Sequence, residues 1–147
     1  MNVQAAREKL SRKLTNISEI ATGVLRGVRR SNEREVAAYV FDLSNRLPHT
    51  AGELDSYLDE VMGPAYFDSE ASPDLRWNNY LYFVVDNGTL GNEAFQNTKR
   101  NLEAERSYAR KFVIVEQDFD RVLDELDSVA VVHDSVSAID VVQAWTD

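Results

Sequence analysis

The chain has 147 residues, with 44% apolar and 28% charged side chains, the size and balance of one ordinary folded domain and not of a disordered or fibrous protein. It contains no cysteine, which excludes a disulfide framework, thiolate metal sites and a thiol nucleophile together. The net charge of −9 is unevenly spread: residues 1–30 hold seven basic side chains against two acidic ones, a balance of +5, and the rest of the chain holds nine against 23, a balance of −14.

An acidic body repels phosphate, so direct nucleic-acid binding is expected, if at all, only at the basic N-terminal arm. The N-terminus lacks the continuous apolar stretch of a secretory signal. Apolar runs such as 81–85 and 129–132 fall far below the roughly 18 residues needed to cross a bilayer. The expectation is a soluble, cytoplasmic protein without membrane contact.

In chain order, Leu10, Leu14, Ile17, Ala21, Val24 and Val28 recur at alternating spacings of four and three, which predicts one long amphipathic helix over 1–30. Gly23 and Gly27 beside that face would let another backbone approach closely. This helix either packs on the body or docks to a partner; in the second case Leu10, Leu14, Ile17, Val24, Arg26 and Arg30 form the contact. Val36 to Leu43 fits helical and strand spacing alike, and its Tyr39, Val40 and Phe41 favour a strand. Leu54, Leu58 and Val61 predict a short helix over 51–62 with Thr50 as N-cap and Gly63-Pro64 as its stop.

Residues 65–76 read as a loop. Tyr80 to Asp86 is the clearest strand, closed by Asn87-Gly88. A helix over 93–108, capped by Asn92, places Phe95 and Leu102 on one face. Phe112 to Val115 reads as a buried strand, and Phe119, Val122, Leu123 and Leu126 mark a further helix. A last strand at 129–132 and a final helix through Ile139, Val142 and Trp145 close the chain. The fold class is α+β or α/β: a long N-terminal helix over 1–30 and an acidic domain over 31–147, with helices packed on a small mixed sheet. Because the chain ends inside an apolar helix, it is expected to be the N-terminal module of a longer polypeptide.

Chemistry has few footholds. His49 and His133 are the only imidazoles, and neither sits beside a nucleophile in a recognisable motif. Glycines are not spaced as a phosphate cradle, so no nucleotide cofactor is expected. Glu116, Asp120 and Asp124, at i, i+4 and i+8, would line one helix face as hard-metal ligands do, although the same face reads equally as a solvated one. They leave open a metal-dependent nuclease or phosphodiesterase-like domain. Trp77 and Arg110, the latter with Lys111 beside it, are residue types that anchor protein interfaces, although Trp77 reads more readily as core packing and Arg110 and Lys111 equally as a balance to the acidic body. A DNA-mimicking regulator is a third reading, which the basic arm opposes.

The segments RWNNYLYFVVD (76–86) and SYARKFVIVEQDF (107–119) resemble the middle component of bacterial ABC-three-component anti-phage defence systems, proteins encoded beside SMC-like or AAA-type ATPases. The resemblance covers roughly residues 36–127. It implies an accessory subunit that links an ATPase to an effector and performs no chemistry itself, with the N-terminal helix and the Trp77 and Arg110 regions as contact surfaces. It carries no catalytic residues.

Overall fold

The computed structural model describes residues 1–32, 34–66, 78–89, 93–107 and 109–126. The readings at 67–77, Asn92, Tyr108 and 127–147, including Trp77, His133, the last strand and the final helix, lie outside these residues.

The N-terminal helix is short. Helix α1 spans Val3–Leu10, with the Asn2 side chain accepting from the amides of Gln4 and Ala5, an ordinary N-cap. After a turn at 11–14 the chain forms an antiparallel hairpin, β1 (Thr15–Ala21) and β2 (Val24–Ser31). The helix-like spacing is therefore a coincidence across three elements: Leu10 and Leu14 belong to the end of α1 and its turn, Ile17 and Ala21 to β1, and Val24 and Val28 to β2. Thr22-Gly23 makes the two-residue connection, with Gly23 at φ +76°, a backbone region that glycine enters without strain.

Gly27 does permit a close approach, but within the sheet. A Cβ there would lie 3.0 Å from Leu14 Cβ and 3.2 Å from Ile17 Cγ1. Gly27→Val is accordingly expected to destabilise the protein by about 2 kcal/mol through overpacking, read as a lower urea midpoint at unchanged slope.

Strand β3 (Arg34–Asp42) continues the meander antiparallel to β2, so the Val36 to Leu43 segment is a strand as far as Asp42. Beyond it, β4 (Asn79–Val85) runs parallel to β3 and β5 (Arg110–Val115) parallel to β4, giving a five-stranded mixed sheet in the order β1-β2-β3-β4-β5. Parallel neighbours need crossovers. The first contains α2 (Ala51–Tyr57), a π-helical turn (Leu58–Met62) and the single turn α3 (Gly63–Tyr66). Gly63-Pro64 thus does not stop the helix: Gly63 keeps helical angles and its amide reaches Leu58 O five residues back, and Pro64 follows this widened π turn into α3, a local adjustment of the kind that accommodates irregularity inside a helix. The second crossover contains α4 (Glu93–Ala104). Helix α5, residues 119–126, follows a 3₁₀ turn at Glu116–Asp118.

Alternation along the strands sorts the core into two layers. Tyr39, Phe41, Tyr80, Tyr82 and Val84 face one side, with Ala6 and Leu10 of α1 and with Phe119, Leu123 and Leu126 of α5. Val40, Leu81, Phe83, Val85 and Val113 face the other, with Leu54, Leu58 and Met62 of the first crossover and Phe95 and Leu102 of α4. The result is a three-layer α/β/α arrangement. Both crossovers lie on one face while the strand order advances in one direction, so they share one hand. No helix among the described residues is long and apolar enough to cross a membrane.

Candidate functional site

The carboxyl ends of the parallel strands β3, β4 and β5 meet at one rim of the sheet; among the described residues the strand order does not reverse there. Side chains stitch this rim together. Asp42, the last residue of β3, is buried and accepts hydrogen bonds from Ser44 N (2.8 Å), Ser44 Oγ (2.6 Å) and Tyr57 OH (2.7 Å). Burial, then the negative charge of Asp42 and its hydrogen bond, push the Tyr57 phenol well above its ordinary range, so the phenol keeps its proton and remains a donor. Tyr57→Phe is expected to cost about 2 kcal/mol by leaving a buried carboxylate one donor short, measurable by urea denaturation.

Next along the chain, Asn45 sits at φ +61°, a conformation asparagine tolerates better than most residues. From there its Nδ2 donates to Asp86 Oδ2 (2.9 Å) and its Oδ1 accepts from Asp86 N (3.0 Å). Asn87 Oδ1 in turn accepts from Gln117 N (2.8 Å). The three strand ends are thereby held to one another. The chain then reaches α2 through Leu47, Pro48 and His49. Thr50 Oγ1 caps α2 by accepting from Glu53 N (3.1 Å), and Glu53 Oε2 accepts from His49 N (2.7 Å), a reciprocal box that fixes the path of the loop.

This fixed loop stands over α4 and encloses two clefts. One, of about 210 Å³, lies between Pro48, Ala51 and Leu54 on one wall and Asn101, Leu102 and Glu105 on the other. The second, of about 270 Å³, is lined by Asn45, Leu47, Val85, Ala94 and Phe95. His49 and Thr98 line both, and their contact, Nδ1 to Oγ1 at 3.4 Å, is the partition. Each cleft alone is smaller than the roughly 300–1,000 Å³ of a usual small-molecule pocket and has room for a single side chain.

The contact between the two side chains is weak. Thr98 Oγ1 also lies 3.1 Å from Ala94 O, one turn back, and 3.4 Å is long for a hydroxyl–imidazole bond. Among the described residues no carboxylate is bonded to the other ring nitrogen of His49.

Glu105, at the far end of the groove, accepts from Ser107 N (2.6 Å) and lies 2.9 Å from Lys111 Nζ. Partial burial works to raise its carboxyl, but hydrogen bonds from Ser107 and Lys111 outweigh this and hold it below the usual range. Lys111 is withdrawn from the surface, with a side chain 0% exposed. Its ammonium donates to the carbonyls of Glu105 (3.0 Å), Ser107 (2.8 Å) and Ala109 (3.0 Å), and burial lowers its titration despite Glu105. It braces the segment between α4 and β5 and offers nothing to a partner.

The other residues singled out in the sequence are scattered. Leu10, Leu14 and Val24 are buried in the core and Ile17 packs against it, so no apolar stripe is left for docking. Arg26 and Arg30 lie on β2, and Arg110 is exposed at the start of β5. Glu116 belongs to a 3₁₀ turn and not to a continuous helix, which breaks the i, i+4, i+8 face; it lies 3.5 Å from the Met1 amino group, and Asp120 pairs with Lys9 at 2.9 Å. Asp124 is exposed. Among the described residues no group of three or more His, Asp or Glu side chains is placed to hold a metal ion.

Among the described residues, the outer strands of the sheet are blunted as well. On β5, Val113 N donates to Glu103 Oε2 (2.9 Å) and Val113 O accepts from Lys99 Nζ (2.9 Å), with Lys99 and Glu103 paired at 2.7 Å. On β1, two register shifts, Asn16 at φ +53° and a 3.3 Å bond from Arg7 Nη1 to Ile17 O interrupt the strand. Both are devices that discourage addition of a foreign strand.

Thr98, Asn101 and the loop residues Leu47 and Pro48 were not singled out from the sequence. No local spacing carries them, because the groove is assembled by tertiary packing of two segments some fifty residues apart. No protein-family model, curated protein or solved structure matches this chain.

Proposed function

We propose that the chain is a non-enzymatic accessory module that binds another protein, an ATPase of the SMC-like or AAA type in a bacterial defence-type system, as the resemblance of residues 36–127 implies. The observation that carries the reading is the groove that starts near the carboxyl rim and runs along α4: two apolar, side-chain-sized clefts flanking His49 and Thr98. Such a groove selects protruding side chains of a partner, which is how compact interfaces concentrate their binding energy.

The test is affinity purification of the full-length protein from its own host, followed by mass spectrometry. Co-purification of an ATPase in stoichiometric amount is the expected result, and recovery of the protein alone overturns the reading. Deleting residues 1–30 is not an informative variant, because it removes α1, β1 and nearly all of β2 and with them part of the core.

A further inference from the structure

Resting on that reading, we infer that the groove between the β3–α2 loop and α4 binds an extended, basic segment of a protein partner, about five residues long, with one apolar side chain seated on each side of His49. Its length follows from α4. The lining runs from Ala94 to Glu105, eleven residues on, or roughly 16 Å at the helical rise. An extended chain advances about 3.3 Å per residue, so roughly five residues span that distance.

The mode follows from the edges. Lys99 and Glu103 occupy the outward backbone groups of Val113, and β1 is bulged, so the segment is held through side chains in clefts and not as an added strand. Leu54 and Leu102 are buried beneath one cleft, and Val85 and Phe95 beneath the other, which selects aliphatic or aromatic anchors.

Charge fixes the chemistry of the partner. The described residues from Asn45 to Ser107, which form this layer and the β4 strand beneath it, carry eight carboxylates against the four cations Arg46, Lys99, Arg100 and Arg106. Lys99 is itself committed to Glu103 and Val113 O. Glu53, Asp55, Asp59 and Glu60 are exposed along the first crossover without a Lys or Arg from Leu47 to Met62. An acidic segment would be repelled there, and one bearing Lys or Arg beside its apolar anchors is attracted. His49 acts as a latch: turning its exposed ring away from Thr98 joins the two clefts into one groove, and the weak 3.4 Å contact costs little to open.

The probe is a phage-displayed random heptapeptide library panned on the immobilised full chain. Enriched peptides are then synthesised, and their binding is measured by fluorescence anisotropy. Enrichment of sequences with two apolar positions flanked by Lys or Arg is expected, with affinity that weakens as salt rises. Ala51→Trp fills one cleft and Ala94→Trp the other; both positions are exposed on helices, and each change is expected to weaken binding about tenfold or more. Asp55→Lys combined with Asp59→Lys, which alters only exposed side chains, supplies an independent loss.

Failure to enrich peptides, enrichment of acidic ones, or binding unchanged in both Trp variants overturns the inference. So does sedimentation showing a dimer that Ala51→Trp dissociates, because a second copy of the chain would then own the groove. ATPase recovery from the host together with any of these results leaves the accessory reading standing and removes only the groove assignment. Groove-dependent peptides without ATPase recovery do the reverse.

Discussion

Replacing Lys111 by alanine is expected to lower the stability of the protein by about 2–4 kcal/mol, since its stem is wholly buried while its partner Glu105, with a side chain 31% exposed, is partly screened by solvent. Its ammonium serves three carbonyls and the Glu105 carboxylate, all at 2.8–3.0 Å. Removal leaves these acceptors short of a donor and opens a cavity where the stem had been. Lys111→Met separates the two contributions, since it keeps the stem and deletes only the charge. It is expected to cost about 1–3 kcal/mol, and combination with Glu105→Gln should recover part of that loss by removing the stranded carboxylate.

The pH dependence of the same pair has a definite sign. Glu105 titrates below its ordinary 4.5 in the folded protein, so its contribution is present above that pH and is lost as pH falls through the folded value. Lys111 releases its proton below its ordinary 10.5, so between the folded value and 10.5 the unfolded chain binds more protons and stability from this group rises with pH. Urea midpoints across the acid range should therefore fall less steeply in Glu105→Gln than in the parent; parallel profiles would show that the carboxylate is not held by Lys111.

The buried lysine also shows what a sequence conceals. Arg110-Lys111 before a run of Phe, Val and Ile reads as a charged pair at a strand entrance, where either residue suits an interface. Strand alternation sends the two to opposite faces of β5: Arg110 remains exposed while Lys111 turns inward to the loop behind α4. Elements whose own composition decides them were legible. Tyr80 to Asp86 and Phe112 to Val115 are rich in β-branched and aromatic residues, and both are strands.

The hairpin at 15–31 was not legible, for physical reasons. Gly27 interrupts its apolar alternation, and register shifts in β1 break the period of two. The chance spacing from Leu10 to Val28 mimics a helix across a turn. The β-branched residues Thr15, Ile17, Ile20, Val24 and Val28 around Thr22-Gly23 held the contrary signal. The groove was the least legible feature, because His49 and Thr98 come together only when two crossovers pack on one face of the sheet.

Phe41→Ala is the second change with a large expected effect, about 3–5 kcal/mol. The Phe41 ring is 0% exposed. It stacks on Tyr82 with centroids 4.9 Å apart and meets Phe119 edge-on at 5.5 Å, and Tyr82 stacks in turn on Phe112 at 5.0 Å. The parallel registers Phe41↔Tyr82 and Tyr82↔Phe112 align these rings across β3, β4 and β5. The ladder is therefore built by strand pairing, and α5 is attached to it through Phe119. Burial, with Tyr80 and Glu125 nearby and Arg110 opposing them, pushes the Tyr82 phenol up to about 12, so the middle rung stays neutral at physiological pH. Loss of Phe41 removes both a stacked and an edge-on contact, each worth about 0.5–1.5 kcal/mol beyond the buried area. It should loosen α5 more than α4, which packs on the opposite face. Amide hydrogen exchange distinguishes this from uniform destabilisation. In Phe41→Ala, protection in residues 119–126 should fall by more than the global loss of stability explains, while α4 follows the global change; equal losses in the two helices would show that the ladder does not anchor α5.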